Sequence, residues 1–241
     1  MKATNKEYDL DSSLIRIDEI LNASNDAFEE SDTIVKRDRL TFTNGFYVHC
    51  SALFVDIRDS SNMTDAHNRP VLAKIYRSFI SEMVALMNGH DTCREVNING
   101  DCVWCVCETT YKKDIDGVFS LAAKAASLVD ILNFKLGKKG YQTYEVGIGI
   151  DYGRALMIKA GNSGSTINDV IWMGDVVNQA CHLCNEANSG YFDKRVFLSN
   201  IIYDNLNDAN KNLCTKDSGR DIYQADVINI GMNDWLNNQT K

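Results

Sequence analysis

Apolar residues recur along this chain in two rhythms. Leu10, Leu14, Ile17 and Leu21 fall at steps of four, three and four. That spacing predicts a helix over 10–25 with one apolar stripe, starting near Asp11 or Ser12. Such a stripe either packs on the parent domain or pairs with a second copy. Residues 26–45 are polar and mixed in charge and read as a connector. From Phe46 onward the pattern becomes regular. Residues 47–57 read as a strand buried toward its end. Residues 70–87 read as a helix with Val71, Ile75, Phe79, Met83 and Leu86 on one side, stopped by Asn88-Gly89. Strands follow at 94–98 and 102–107, joined by the hairpin signal Asn99-Gly100-Asp101. A second helix spans 118–136. A strand pair at 144–150 and 154–160 is predicted around Asp151-Tyr152-Gly153. A Gly/Ser/Asn-rich loop at 161–168 precedes a helix over 175–186, and late strands fall at 195–199 and 222–230.

The order is strand, helix, strand, strand, helix, strand, with additions. That predicts an α+β, ferredoxin-like domain with a central, mostly antiparallel sheet and flanking helices. We divide the chain into an N-terminal helical arm with connector, 1–45, and one domain, 46–241.

Bulk composition narrows the function. The 241 residues carry 44% hydrophobic and 24% charged side chains, ordinary values for a globular protein. The formal net charge is −8, which offers no basic footprint for nucleic acid or an anionic membrane. The start has no apolar leader core, and no apolar run is long enough to span a bilayer. A cytoplasmic protein without membrane insertion is the expectation. Its eight cysteines then read as reduced thiols. The Cys102/Cys105 and Cys181/Cys184 pairs have zinc-like spacing. However, residues three apart on a strand face opposite sides, so core packing is the better reading.

Two aspartates stand out. Asp56 follows the apolar run Ala52-Leu53-Phe54-Val55, and Asp101 sits in the hairpin turn. An aspartate just past an apolar strand is poorly placed for packing and well placed for a cation. Two of them on neighbouring strands are the minimum for holding two divalent ions, Mg²⁺ or Mn²⁺, on a triphosphate. Taken singly, Asp56 also reads as a helix cap and Asp101 as a turn residue.

A third segment, Met173-Gly174-Asp175-Val176-Val177-Asn178-Gln179-Ala180-Cys181-His182, completes a pattern. Together the three segments resemble the catalytic domain of class III nucleotide cyclases. The resemblance implies that Asp56, Asp101 and the backbone carbonyl of Ile57 hold two metals. It implies that Asn178 orients the ribose, with His182 where the family has an arginine. A histidine carries that charge only when protonated. The loop through Arg58, Ser60 and Ser61 is placed to cradle phosphates, although the family usually has Gly-Phe-Ser/Thr where Asp59-Ser60-Ser61 stands here. Both half-sites lie in one chain, so the resemblance implies a homodimer with shared active sites.

The base-reading positions depart from both purine patterns. Asn97 and Ile171 stand where adenylate cyclases place lysine and aspartate and guanylate cyclases place glutamate and usually cysteine. The family's Lys-Gly-Lys-Gly hairpin is missing, and the tail reads Arg220-Asp221-Ile222-Tyr223 instead. These departures resemble the bacterial Pycsar pyrimidine cyclases of anti-phage defence. That implies UTP as substrate, CTP as runner-up, and a separate effector protein that reads the cyclic nucleotide. The alternatives are a purine cyclase with an unusual pocket and a catalytically silent regulatory domain.

Overall fold

The structure, a computed structural model, describes residues 2–163 and 167–239. In chain order its elements are α1 (Leu10–Leu21), β1 (Phe28–Glu30), β2 (Gly45–Ile57), α2 (Ser60–Ala66), α3 (Arg69–Asn88), β3 (Cys93–Asn99), β4 (Cys102–Glu108), α4 (Lys112–Gly137), β5 (Val146–Gly161), β6 (Asn168–Met173) and α5 (Asp175–Glu186). They are followed by β7 (Val196–Leu198), α6 (Asn200–Asn205), α7 (Asp208–Lys211), β8 (Thr215–Asp217), β9 (Ile222–Ala225) and α8 (Ile230–Gln239).

Among the described residues the strands form one nine-stranded sheet, ordered β3-β4-β2-β5-β7-β9-β8, with β1 beside β2 and β6 beside β5. Among the described strands, β1–β2 and β5–β7 are the parallel pairs. The central β3-β4-β2-β5 order is the predicted ferredoxin-like arrangement, because two βαβ-type excursions bring β4 and β5 to either side of β2. One face of the sheet takes the apolar sides of α3 and α4, and Leu53, Val55, Phe79, Met83 and Val118 are buried there. The other face takes α5, with Val48, Ala52, Phe54, Val176 and Ala180 in the core. Residues of β2 alternate between these two cores, as the two-residue period of a strand requires.

Several expectations are corrected. The pair around Asp151-Tyr152-Gly153 is a single strand. β5 pairs with β2 without interruption from Val146 opposite Ile57 to Ile158 opposite Gly45. Pairing over that length outweighs the local turn signal, and Asp151 is buried, with Ser199 as hydrogen-bond partner. The segment 26–45 is packed into the fold: β1 joins the sheet, Val35 and Leu40 enter the core, and Arg37 bonds to Glu95. Helix α1 ends at Leu21 and is capped by Asp9, which accepts from the Ser12 amide at 2.8 Å. Its apolar residues Leu10, Leu14 and Ile17 are exposed in the single chain. The late strand stops at Ala225. Residues 168–173 are a strand, and 164–166 of the predicted loop lie outside the described residues.

Candidate active site

The ends of β2 and the β3–β4 hairpin build the acidic centre. Pairing sets Asp56 opposite Cys102, one residue from Asp101 in the turn, where Gly100 takes φ +65°. Ile57 is buried in the α3/α4 core and pairs with Val146, which fixes the strand end. The hairpin therefore brings the two aspartates together, as their positions at strand ends predicted. Burial pushes the Asp56 carboxyl above its ordinary value, and the Asp101 charge adds to this, while Arg58 opposes. Two carboxylates forced together at a half-buried edge favour a cation, and their oxygens suit hard divalent ions.

Arg58 is half-buried beside them. Its Nη2 donates to Asp56 Oδ2 at 2.9 Å and its Nη1 to the Asn185 carbonyl at 2.7 Å. Its guanidinium thus faces the end of α5. Asp59 takes the left-handed conformation, φ 52°, where the family more often has glycine. Aspartate tolerates that region better than most residues, which keeps the turn without the glycine. Asp59 makes no side-chain cap bond, so its place is explained by backbone geometry rather than capping. Ser60 and Ser61 open α2 directly after it.

Asn97 lies on β3 opposite Trp104 of β4. Its Nδ2 is buried without a hydrogen-bond partner. Trp104 stacks on Phe54, with ring centroids 4.8 Å apart and planes within 2°. These aromatic neighbours were missed in the sequence, yet the hairpin register counted back from Asn99-Gly100 gives the Asn97–Trp104 pair. Ile171, on β6 opposite Ile158, is 43% exposed.

Helix α5 starts at Gly174, whose φ of +145° favours glycine; an added Cβ would stand 2.8 Å from the Arg154 carbonyl. The helix then runs close along β5. A Cβ on Gly149 would stand 2.1 Å from the Ala180 carbonyl, so only glycine admits the helix at that depth. Ala180 is buried against the sheet, while Asn178 and His182, two positions to either side, are exposed on the opposite face. They stand one turn apart on that face. Within one chain they point away from the sheet that carries Asp56.

A hairpin also closes the far side of the sheet, where the sequence lacked the family's lysine motif. β8 and β9 pair, and this hairpin carries Lys216 and Arg220. Lys216 Nζ binds Asp221 at 2.6 Å, and Arg220 binds Asp193 and Asp217.

Comparison with known proteins agrees with this geometry. Residues 44–223 match the model of the adenylate and guanylate cyclase catalytic domain. The chain belongs to the class III nucleotide cyclases. It is therefore a phosphorus–oxygen lyase acting on nucleoside triphosphates, and cyclases of this family use divalent metal ions and are typically dimeric. This cyclase is 42% identical over 216 residues to a uridylate cyclase of Gulbenkiania mobilis, covering 85% of the chain and 82% of the relative. It is 34% identical over 235 residues to a uridylate cyclase of Treponema porcinum, covering 96% and 82%. In fold the cyclase resembles the adenylyl cyclase CyaB from P. aeruginosa, with a TM-score of 0.65 at 19% identity over 78% of this chain and 98% of that one. It also resembles a class III adenylyl cyclase-like ATP-binding protein from Pseudomonas aeruginosa, with a TM-score of 0.69 at 18% identity over 94% and 49%. Among the described residues no helix is long and apolar enough to cross a membrane.

Proposed function

We propose that this cyclase converts a pyrimidine nucleoside triphosphate, UTP first and CTP second, to its 3′,5′-cyclic monophosphate with release of pyrophosphate. The observation that carries the reading is Asn97, whose buried Nδ2 has no partner beside the stacked rings of Phe54 and Trp104. A carbonyl of uracil or cytosine is an acceptor for that donor, and a rotated amide also accepts from an amine. The apolar Ile171 gives an adenine amine nothing to bond. The names of the two uridylate cyclase relatives support the same substrate class.

Asp56, Asp101 and the Ile57 carbonyl would hold two Mg²⁺ or Mn²⁺ ions per site, which when bound would supply Lewis-acid activation of the ribose 3′-hydroxyl and charge neutralisation for the departing pyrophosphate. Asn178 orients the ribose so that its 3′-oxygen faces the α-phosphorus, and His182 meets the charge that grows there. Arg58, Ser60, Ser61 and the amides of their loop cradle the phosphates. Asn178 and His182 come from the partner of a homodimer, giving two shared sites. Their exposure on the outer face of α5 supports this assembly. Helix α1 forms an arm on the cyclase domain, and 26–45 are a packed part of that domain. The product is a cytoplasmic second messenger of anti-phage defence, read by a separate effector protein.

Pure protein incubated with equal concentrations of ATP, GTP, CTP and UTP plus Mn²⁺, followed by mass spectrometry, tests the substrate. Cyclic UMP is the expected main product and cyclic CMP the second. Dominant cyclic AMP or cyclic GMP overturns the pyrimidine reading and leaves the cyclase assignment standing.

A further inference from the structure

We propose a second metal site, for a thiophilic ion such as Zn²⁺, built from the thiols of Cys93, Cys105 and Cys107. The three sulfur atoms lie within 4.8 Å of one another. Cys105 Sγ and Cys107 Sγ are 3.8 Å apart. Two thiolates each ~2.3 Å from one tetrahedral ion also stand about 3.8 Å apart, so this pair already has the spacing of a chelate.

The cluster follows from register, not from a Cys-x-x-Cys spacing. Cys105 and Cys107 alternate onto one face of β4, and β3 sets Cys93 directly opposite Cys107. A bulge between Cys93 and Glu95 breaks the ladder beside it. Cys105 and Cys107 are fully buried beneath α3 and α4, while Cys93 is half-buried and leaves a route for the ion. Cys102, the partner its spacing suggested for Cys105, lies in the opposite core. On the turn before Cys93, His90 accepts the Cys93 amide on its carbonyl at 3.1 Å, and its own Nε2 is buried without a hydrogen-bond partner.

Three soft donors with no carboxylate among them select a soft or borderline ion. The ions proposed for catalysis are hard and bind oxygen, so the two sites do not compete. On binding, each thiol releases its proton to water as its sulfur–metal bond forms, and no electron is transferred. The ion would join edge strand β3 to β4, and so brace the hairpin that carries Asn97 and Asp101.

The test uses the full chain. Protein purified from zinc-containing medium is analysed for metal by plasma mass spectrometry. Metal-stripped protein is then titrated with Cd²⁺ while thiolate-to-metal absorption is followed. One zinc per chain and a band that saturates at one equivalent are expected. Cys93→Ser, at the half-buried position, is expected to weaken Cd²⁺ binding by at least about tenfold, whereas Cys214→Ser leaves it unchanged. Zinc removal is expected to speed amide exchange in β3 and β4. Folded wild-type protein with neither zinc nor a thiolate–Cd²⁺ band overturns the proposal, as does a Cys93→Ser protein that binds as tightly as wild type.

Discussion

Arg58 turns back along the chain to bind Asp56, placing its Nη2 2.9 Å from Oδ2. The guanidinium therefore draws on a carboxylate oxygen that a metal would also use, and its charge repels a second cation. Arg58→Ala is expected to lower the Mn²⁺ concentration needed for half-maximal turnover. It also removes the bond to the Asn185 carbonyl, so stability is expected to fall by about 1–3 kcal/mol. Metal titration of turnover and urea unfolding check the two effects, and an unchanged Mn²⁺ midpoint speaks against competition at Asp56.

Asp56 and Asp101 share the cationic work, so neither compensates for loss of the other. Asp56→Ala and Asp101→Ala are each expected to cut turnover more than about 100-fold, beyond what loss of an outer-shell partner costs. Circular dichroism is expected to remain native, and EDTA to abolish wild-type activity. Near-normal turnover in either variant would remove the metal assignment.

Asn178 and Asp56 belong to different half-sites of the proposed dimer. Asp56→Ala and Asn178→Ala proteins are each expected to be nearly inactive. Mixed and allowed to exchange subunits, they are expected to regain activity, because one site of the heterodimer is intact. Silence after demonstrated exchange points to sites contained within one chain.

The unpartnered amide of Asn97 makes a specificity prediction. Asn97→Leu keeps the volume and deletes the donor. The kcat/KM for UTP is expected to drop about 10- to 100-fold, the cost of a lost hydrogen bond in a closed site. Turnover of ATP, which never used the donor, is expected to change little. Equal losses on all four nucleotides would make Asn97 structural.

Asp151 gives a pH prediction. Burial raises its carboxyl above the ordinary value, Asp175 adds to this, and bonds from Ser199 and the Tyr152 amide oppose. A carboxyl raised in the folded state favours folding below its unfolded pKa, and that stability is lost as pH rises through the folded value. Asp151→Asn is therefore expected to unfold at higher temperature than wild type near neutral pH, with the gap closing toward acid. Parallel melting curves across that range would show that Asp151 is not strained by its charge.

Much of this was readable from residue order. The closeness of Asp56 and Asp101 was legible because the first ends an apolar strand and the second sits in a hairpin turn, and the α5 motif because Gly174 and Asn178 are local in sequence. What failed was local evidence overridden at a distance. Asp151-Tyr152-Gly153 reads as a turn until β2 pairs across it. The polar 26–45 segment hides Val35 and Leu40, whose burial depends on β2 and β6 being present. In the sequence Asp59 is only a departure from the family's usual glycine, and its φ of 52° shows how the turn is kept without one. The thiol cluster escaped because its members meet across a ladder and through an i,i+2 pair, a spacing that carries no familiar signature.

The unbroken run of β5 acts as a ruler. Gly147 lies beside Asp56 and Ile158 beside Ile171. At about 3.3 Å per residue, roughly 35 Å of strand separates those neighbours. One continuous strand therefore sets the places of Asp56, of β6 and, through Gly149, of α5, so that a bulge or insertion in β5 would shift all three together.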